Sequence, residues 1–187
     1  MIRTRVGYAG GTKKNPAYHN LGDHTETIQI DYDPTKISYE KLLETFWDSH
    51  NPAQRSWSRQ YMSIIFFHNE EQRRLATETR DREAIKRKGK IFTEIVPAGQ
   101  FYPAEAYHQK YSLRREPDLM KEFNEMYPND NDFMNSTAAA RLNGYLDGYG
   151  TLEALQAELD SYGLSPGASE RLLSIAKRRN LTPGCKL

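Results

Sequence analysis

From Ile2 to Tyr8 the chain alternates, with Ile2, Thr4, Val6 and Tyr8 set against Arg3 and Arg5, and this period of two predicts a strand with one apolar and one basic face. Gly10-Gly11 ends it, because glycine reaches positive φ without a Cβ clash, and Asn15-Pro16 opens a turn. Alternation resumes from Thr25 to Tyr32, with Ile28, Ile30 and Tyr32 on one face and Thr27, Gln29 and Asp31 on the other, and Asp33-Pro34 closes it. Ser38 offers an N-cap to a helix whose apolar positions Tyr39, Leu42, Leu43, Phe46 and Trp47 form one stripe. Pro52 disfavours helical geometry at Asn51, so the helix should stop near His50. The most apolar run, Tyr61 to Phe67, reads as a central strand. Asn69 and Gln72 make a capping-box-like start to a long helix that should reach about Lys88, with Gly89 as its stop. Phe92 to Val96 predicts a short strand closed by Pro97.

Strands alternating with helices that are amphipathic on one side predict an α/β (α+β) fold, a two-layer sandwich of the split βαβ kind with helices on one face of the sheet. The composition changes at Glu116-Pro117, which divides the chain into a core over residues 1–115 and a helical C-terminal extension over 116–187. Within the extension, Asn129-Asp130-Asn131-Asp132 reads as a linker, Ser136 to Tyr145 as a helix with an alanine stripe, and Thr151 to Tyr162 as a helix ended by Gly163. Ser165-Pro166, an N-cap with proline in the first helical position, starts a last helix bearing Leu172, Leu173, Ile175 and Ala176.

With 187 residues the chain can bury a self-supporting core, and a net charge of +1 gives no electrostatic reason to expect nucleic acid or an anionic membrane as partner. No apolar run approaches membrane-spanning length, and the N-terminus has Arg3 and Arg5 but no apolar signal core, so a cytoplasmic protein is expected. The single cysteine, Cys185, cannot form an internal disulfide, and the five histidines show no metal-ligand spacing, so no metal is expected.

Candidate chemistry concentrates between Val6 and Glu26. The loop there can carry Tyr18 and Glu26 toward one point, where phenol donors and a carboxyl could grip a small polar oxygen-bearing group. Each residue alone reads better as a solvated strand-start glutamate or a packed tyrosine, and only their coincidence with the ordered motifs below reverses that. His24, two residues before Glu26, could orient that carboxyl or serve the loop.

Val6-Gly7-Tyr8-Ala9-Gly10-Gly11, Asn15-Pro16-Ala17-Tyr18, His24-Thr25-Glu26 and Tyr32-Asp33-Pro34 are followed in order by Phe46-Trp47, His50-Asn51-Pro52, Gln60-Tyr61-Met62-Ser63 and Phe101 to Gln109. This series, over residues 2 to 115, resembles the peptide methionine sulfoxide reductases of the A type. The resemblance implies a sandwich of the ferredoxin-like kind and thiol-dependent reduction of peptide and free methionine-S-sulfoxide, a repair of oxidative damage. It implies no resident cofactor, recycling by thioredoxin or another external dithiol, oxidised proteins as partners and a monomer. It makes Glu26 the proton donor to the departing oxygen and Tyr18 and Tyr61 the groups that hold that oxygen. A carboxyl desolvated by neighbouring aromatics could deliver its proton near neutral pH. Gly184-Cys185 resembles the family's glycine-containing tail, which makes Cys185 a candidate resolving thiol; the plain reading is an exposed tail thiol. The family's nucleophile lies in a Gly-Cys-Phe-Trp motif upstream of Val6, so a chain starting at Met1 is expected to lack it and to be incomplete at its N-terminus. On that expectation, a non-catalytic module that binds oxidised methionine and an interaction protein working through its helical tail stand as alternatives. Residues 51 to 59 depart from the family pattern, which bears on the mouth of the site.

Overall fold

The computed structural model describes residues 2–179, so Cys185 lies outside the described residues. It shows a mixed α/β fold with a small open sheet flanked by helices, ferredoxin-like, and a C-terminal helical extension. Two compact units are present, one of Val6–Glu105, the other of Ile2–Arg5 with the chain from Ala106 onward. The division thus falls earlier than the composition change at Glu116-Pro117. Leu113, which precedes Glu116, is fully buried in the core of the helical unit.

Strand β1 (Arg3–Ala9) lies between β2 (Thr25–Asp31) and β5 (Tyr102–Pro103). β5 runs antiparallel to β1, with Gly7 opposite Pro103 and Tyr8 opposite Tyr102. Gly7 is required there: a Cβ would meet the Tyr102 carbonyl oxygen at 2.3 Å and the Phe101 ring at 2.5 Å. Gly10 takes φ +82 to end the strand, as its place in the pattern predicts.

Helix α1 (Tyr39–Asp48) starts at Ser38, whose hydroxyl accepts from the Lys41 N–H at 3.2 Å. Strands β3 (Ile64–Phe67) and β4 (Glu94–Pro97) pair in parallel across helix α2 (Glu70–Arg87) and form a separate two-stranded sheet. Leu43, Trp47, Ile65 and Ala76 make the core beneath them. Two expectations change here. β3 starts at Ile64, because the Met62 N–H turns back to the Arg59 carbonyl at 3.2 Å, which leaves Tyr61 in a turn; its one strand neighbour is β4, so it is not central. α2 ends on Lys88, at φ 52, one residue before the glycine expected to stop it, with the Gly89 N–H closing onto the Ala84 carbonyl. On β2, Ile28 is 56% exposed, and Ile30 and Tyr32 line a groove together with Tyr39, Leu42 and Phe46 of α1.

The second unit is helical: α3 (Tyr111–Arg114), α4 (Pro117–Met126), α5 (Asp130–Asn135), α6 (Thr137–Leu146), α7 (Leu152–Glu158) and α8 (Pro166–Arg178). The expected linker at Asn129–Asp132 is the start of α5. Asparagine and aspartate serve N-caps as well as loops, and Asn129 caps the Asp132 N–H at 2.8 Å while Phe133 anchors the turn in the core. Ser136, Thr151 and Ser165 cap α6, α7 and α8.

Inside this unit Glu158 collects donors. Arg141 grips it with two nitrogens, and the hydroxyls of Tyr162 and Tyr145 donate to it at 2.5 and 3.3 Å. Burial opposes its charge, yet the Tyr162 and Arg141 donors outweigh burial and hold the carboxyl below its usual range. A carboxylate depressed in the folded state contributes stability above its unfolded value and loses it as pH falls through the folded one. Glu158→Gln should therefore cost roughly 1 to 2 kcal/mol at neutral pH. Urea unfolding of both proteins at falling pH should show that gap closing in the acid range, below about pH 4.5.

Candidate functional site

The loop between β1 and β2 is held by its own side chains. Asp23 accepts from the Thr12 N–H at 2.8 Å, the Thr12 hydroxyl at 2.9 Å and the Lys13 N–H at 3.2 Å. These donors, the Thr12 backbone first, hold its carboxyl at about 2. His24, 1% exposed, accepts from the Gly11 N–H at Nδ1 and donates from Nε2 to the Lys13 carbonyl at 2.8 Å. Both ring nitrogens are spent on the loop, so His24 ties it together and has none left to orient Glu26. The same loop is fastened to the strand beneath by Glu105, which accepts from the Tyr8 hydroxyl at 2.6 Å and from the Tyr18 N–H at 2.9 Å.

Glu26 follows at the start of β2. Its N–H donates to the Gln60 carbonyl at 2.9 Å, and its carboxyl accepts from the Gln60 amide at 2.7 Å. One residue earlier, the buried Thr25 hydroxyl donates to the Arg59 carbonyl at 2.9 Å, and Arg59 is held by Glu94 at 2.8 Å. The turn carrying Tyr61 is thereby pinned to the strand carrying Glu26. The Tyr61 phenol is pushed up, by partial desolvation first and then by Tyr18 and Glu26 beside it, and it shares a hydrogen bond with Tyr18.

Glu26, Tyr18 and Tyr61, distant in sequence, thus meet. Glu26 and Tyr61 stand on the rim of a groove of about 460 Å³, lined further in by Ile28, Ile30, Leu42, Phe46, Ile64 and Phe66. Two hydroxyls and a carboxyl beside an apolar hollow can hold a polar oxygen and its apolar substituent together. Glu26 is exposed, with its carboxyl held by the Gln60 amide. Gln60 and Glu105 were not singled out by sequence. Their signal was position alone: Gln60 precedes Tyr61, and Glu105 lies in the Phe101 to Gln109 run. Among the described residues no group of three or more His, Cys, Asp or Glu is arranged to hold a metal ion, and no helix is long and apolar enough to cross a membrane.

Comparison with known proteins places this geometry in a lineage. The family described as peptide methionine sulfoxide reductase matches residues 1–142, and the helical domain of selenoprotein methionine sulfoxide reductase A matches residues 128–173. A peptide methionine sulfoxide reductase of Drosophila melanogaster is 45% identical over 89% of this chain and 67% of its own length. Peptide methionine sulfoxide reductase A5 of Oryza sativa is 45% identical over 78% of this chain and 59% of its own. Among solved structures, reduced Mxr1 from Saccharomyces cerevisiae aligns with a TM-score of 0.56 at 29% identity, covering 61% of this chain and 71% of that one. Methionine sulfoxide reductase A of Corynebacterium diphtheriae aligns with a TM-score of 0.52 at 31% identity, covering 61% of this chain and 63% of that one.

These findings correct the expectation of a family member deprived of its thiol. The sequence carries a cysteine, Cys185, and the family match begins at residue 1. The chain spans 67% of the Drosophila relative and 59% of the rice one, so the position of Met1 says nothing about which thiols the protein uses. The doubt about enzymatic activity, and the two non-catalytic alternatives, rested on that premise and go with it.

Glu105→Leu should remove the acceptor of both the buried Tyr8 hydroxyl and the Tyr18 N–H, at a cost of about 1 to 3 kcal/mol. Urea midpoints would measure it. Adding Tyr8→Phe should recover part of the loss, since the hydroxyl is then gone as well.

Proposed function

Because this chain belongs to the peptide methionine sulfoxide reductase family, we propose that it is a thiol oxidoreductase of the A type, reducing methionine-S-sulfoxide, in peptides and free, to methionine. What supports the reading is one observation: Glu26 and Tyr61 line one apolar groove, with Tyr18 beside Tyr61, in a chain of this family.

The chemistry divides among these groups. A thiolate attacks the sulfoxide sulfur, the S–O bond breaks, and the oxygen ends on the thiol as a sulfenic acid while methionine is released. Tyr18 and Tyr61 hold the oxygen, and Glu26 supplies the proton it needs as negative charge grows there. The apolar groove takes the methyl group. A second thiol attacks the sulfenic acid, a disulfide forms and water leaves; an external dithiol such as thioredoxin then reduces the disulfide. We assign Cys185, the one cysteine of residues 1–187, to this thiol exchange, the other thiol coming from the external dithiol. No resident cofactor enters. In this reading the protein works as a monomer in the cytoplasm, repairing oxidised proteins.

Glu26→Gln keeps size and a donor but removes the transferable proton, so sulfoxide loss in a single turnover should slow by roughly 10² to 10⁴ while affinity changes little. A variant with wild-type rates would exclude Glu26 from proton transfer. Tyr61→Phe should instead weaken both binding and rate, roughly tenfold, by removing one donor to the oxygen.

Cys185→Ser separates the roles of the tail thiol. As resolving thiol, its loss should spare the first release of methionine and slow thioredoxin-driven recycling, read by stopped-flow and steady-state rates. Loss of the first release as well would make it the attacking thiol.

A further inference from the structure

Of the described aromatic side chains, Trp57 is the most open to solvent, at 85% exposure. It lies within residues 51–59, where the sequence departs from the family pattern, so no motif demands it. Its ring is not adrift. Its centroid stands 5.3 Å from that of Tyr61, with the planes tilted by 48°. The loop beneath is pinned at several points: the Phe92 N–H donates to the Pro52 carbonyl at 2.8 Å, the Ser56 hydroxyl donates to the Ser58 carbonyl at 2.9 Å, and Arg59 pairs with Glu94. An indole this exposed pays a continuing hydration cost, and the pinned loop has already ordered the segment that displays it.

We infer that Trp57 and the Tyr61 ring form a subsite for an apolar side chain next to methionine sulfoxide in a peptide, which makes Trp57 a specificity-determining residue. The inference rests on the oxygen grip proposed for Tyr61. The dimensions agree: an extended peptide advances about 3.3 Å per residue, so one or two residues span the step from the Tyr61 ring to the indole. The indole offers a broad apolar face and, having two side-chain torsions, loses little freedom on contact. Free methionine sulfoxide has nothing to reach it.

Three probes test this by calorimetry on wild type and Trp57→Ala: free methionine-S-sulfoxide, the same residue flanked by leucines in a blocked tripeptide, and flanked by aspartates. The leucine peptide should bind wild type more tightly than the aspartate peptide. Trp57→Ala should weaken it by roughly three- to tenfold while leaving the free amino acid within about twofold. A parallel readout needs no variant. The two tryptophans differ, Trp47 being 2% and Trp57 85% exposed, so the leucine peptide should shield the iodide-quenchable emission and leave the buried part unchanged. If all three probes lose equally in Trp57→Ala, the indole serves the oxygen grip itself and the subsite is overturned. If the free amino acid binds but the peptides gain nothing over it, the subsite fails and the proposed activity stands. If none of the probes binds wild type, both fall.

Discussion

Glu26 and Gln60 exchange two hydrogen bonds, one from the Glu26 N–H to the Gln60 carbonyl and one from the Gln60 amide to the Glu26 carboxyl. This exchange joins the start of β2 to the turn that carries Tyr61. The backbone bond fixes the separation of β2 from the turn at Arg59–Met62, and the side-chain bond fixes where the carboxyl points. Tyr61, the next residue, inherits its position from the same turn, and Tyr18 reaches it from a loop that Glu105 fastens.

Exposure of Glu26 bears on how it would act. An open carboxyl is screened by water, whereas a proton donor works best where water is excluded. The groove beside it is apolar, with Ile28, Ile30 and Phe66 in its lining, so a bound methyl sulfoxide would itself exclude water from one side of the carboxyl. Desolvation on this account comes with the substrate, in keeping with the looser arrangement of catalytic groups in unliganded sites.

Much of the fold was legible because local rules and burial agreed. Period-two alternation placed β1 and β2, and the capping residues Ser38, Asn69, Ser136, Thr151 and Ser165 all cap helices. What was misread depended on tertiary partners. Nothing in Tyr61 to Phe67 tells a strand residue from a turn residue until the Arg59 carbonyl is seen to take the Met62 N–H. Asn129–Asp132 is polar enough for a linker, and only the burial of Phe133 makes it a helix start. In the site, the loop residues were visible as a motif, but the partners that hold them were not. Glu105 is distant from Tyr18 in sequence, and Gln60 carries no chemistry of its own to mark it.

The two units divide the physical work differently. In the helical one, Leu113, Leu119, Phe123, Leu142, Leu155 and Leu172 have no exposed surface, and Glu158, its polar hub, is fully supplied with donors. In the other, Ile28, Tyr61 and Trp57 are left open around the candidate site. Apolar surface held in water is unfavourable by roughly 25 cal/mol per Å², so on the proposed function this exposure is a stability cost that a bound substrate would offset. Binding a substrate over that face recovers part of the cost. On the proposed function a methyl sulfoxide would suit it, its methyl end covering the groove while its oxygen meets the Tyr61 phenol.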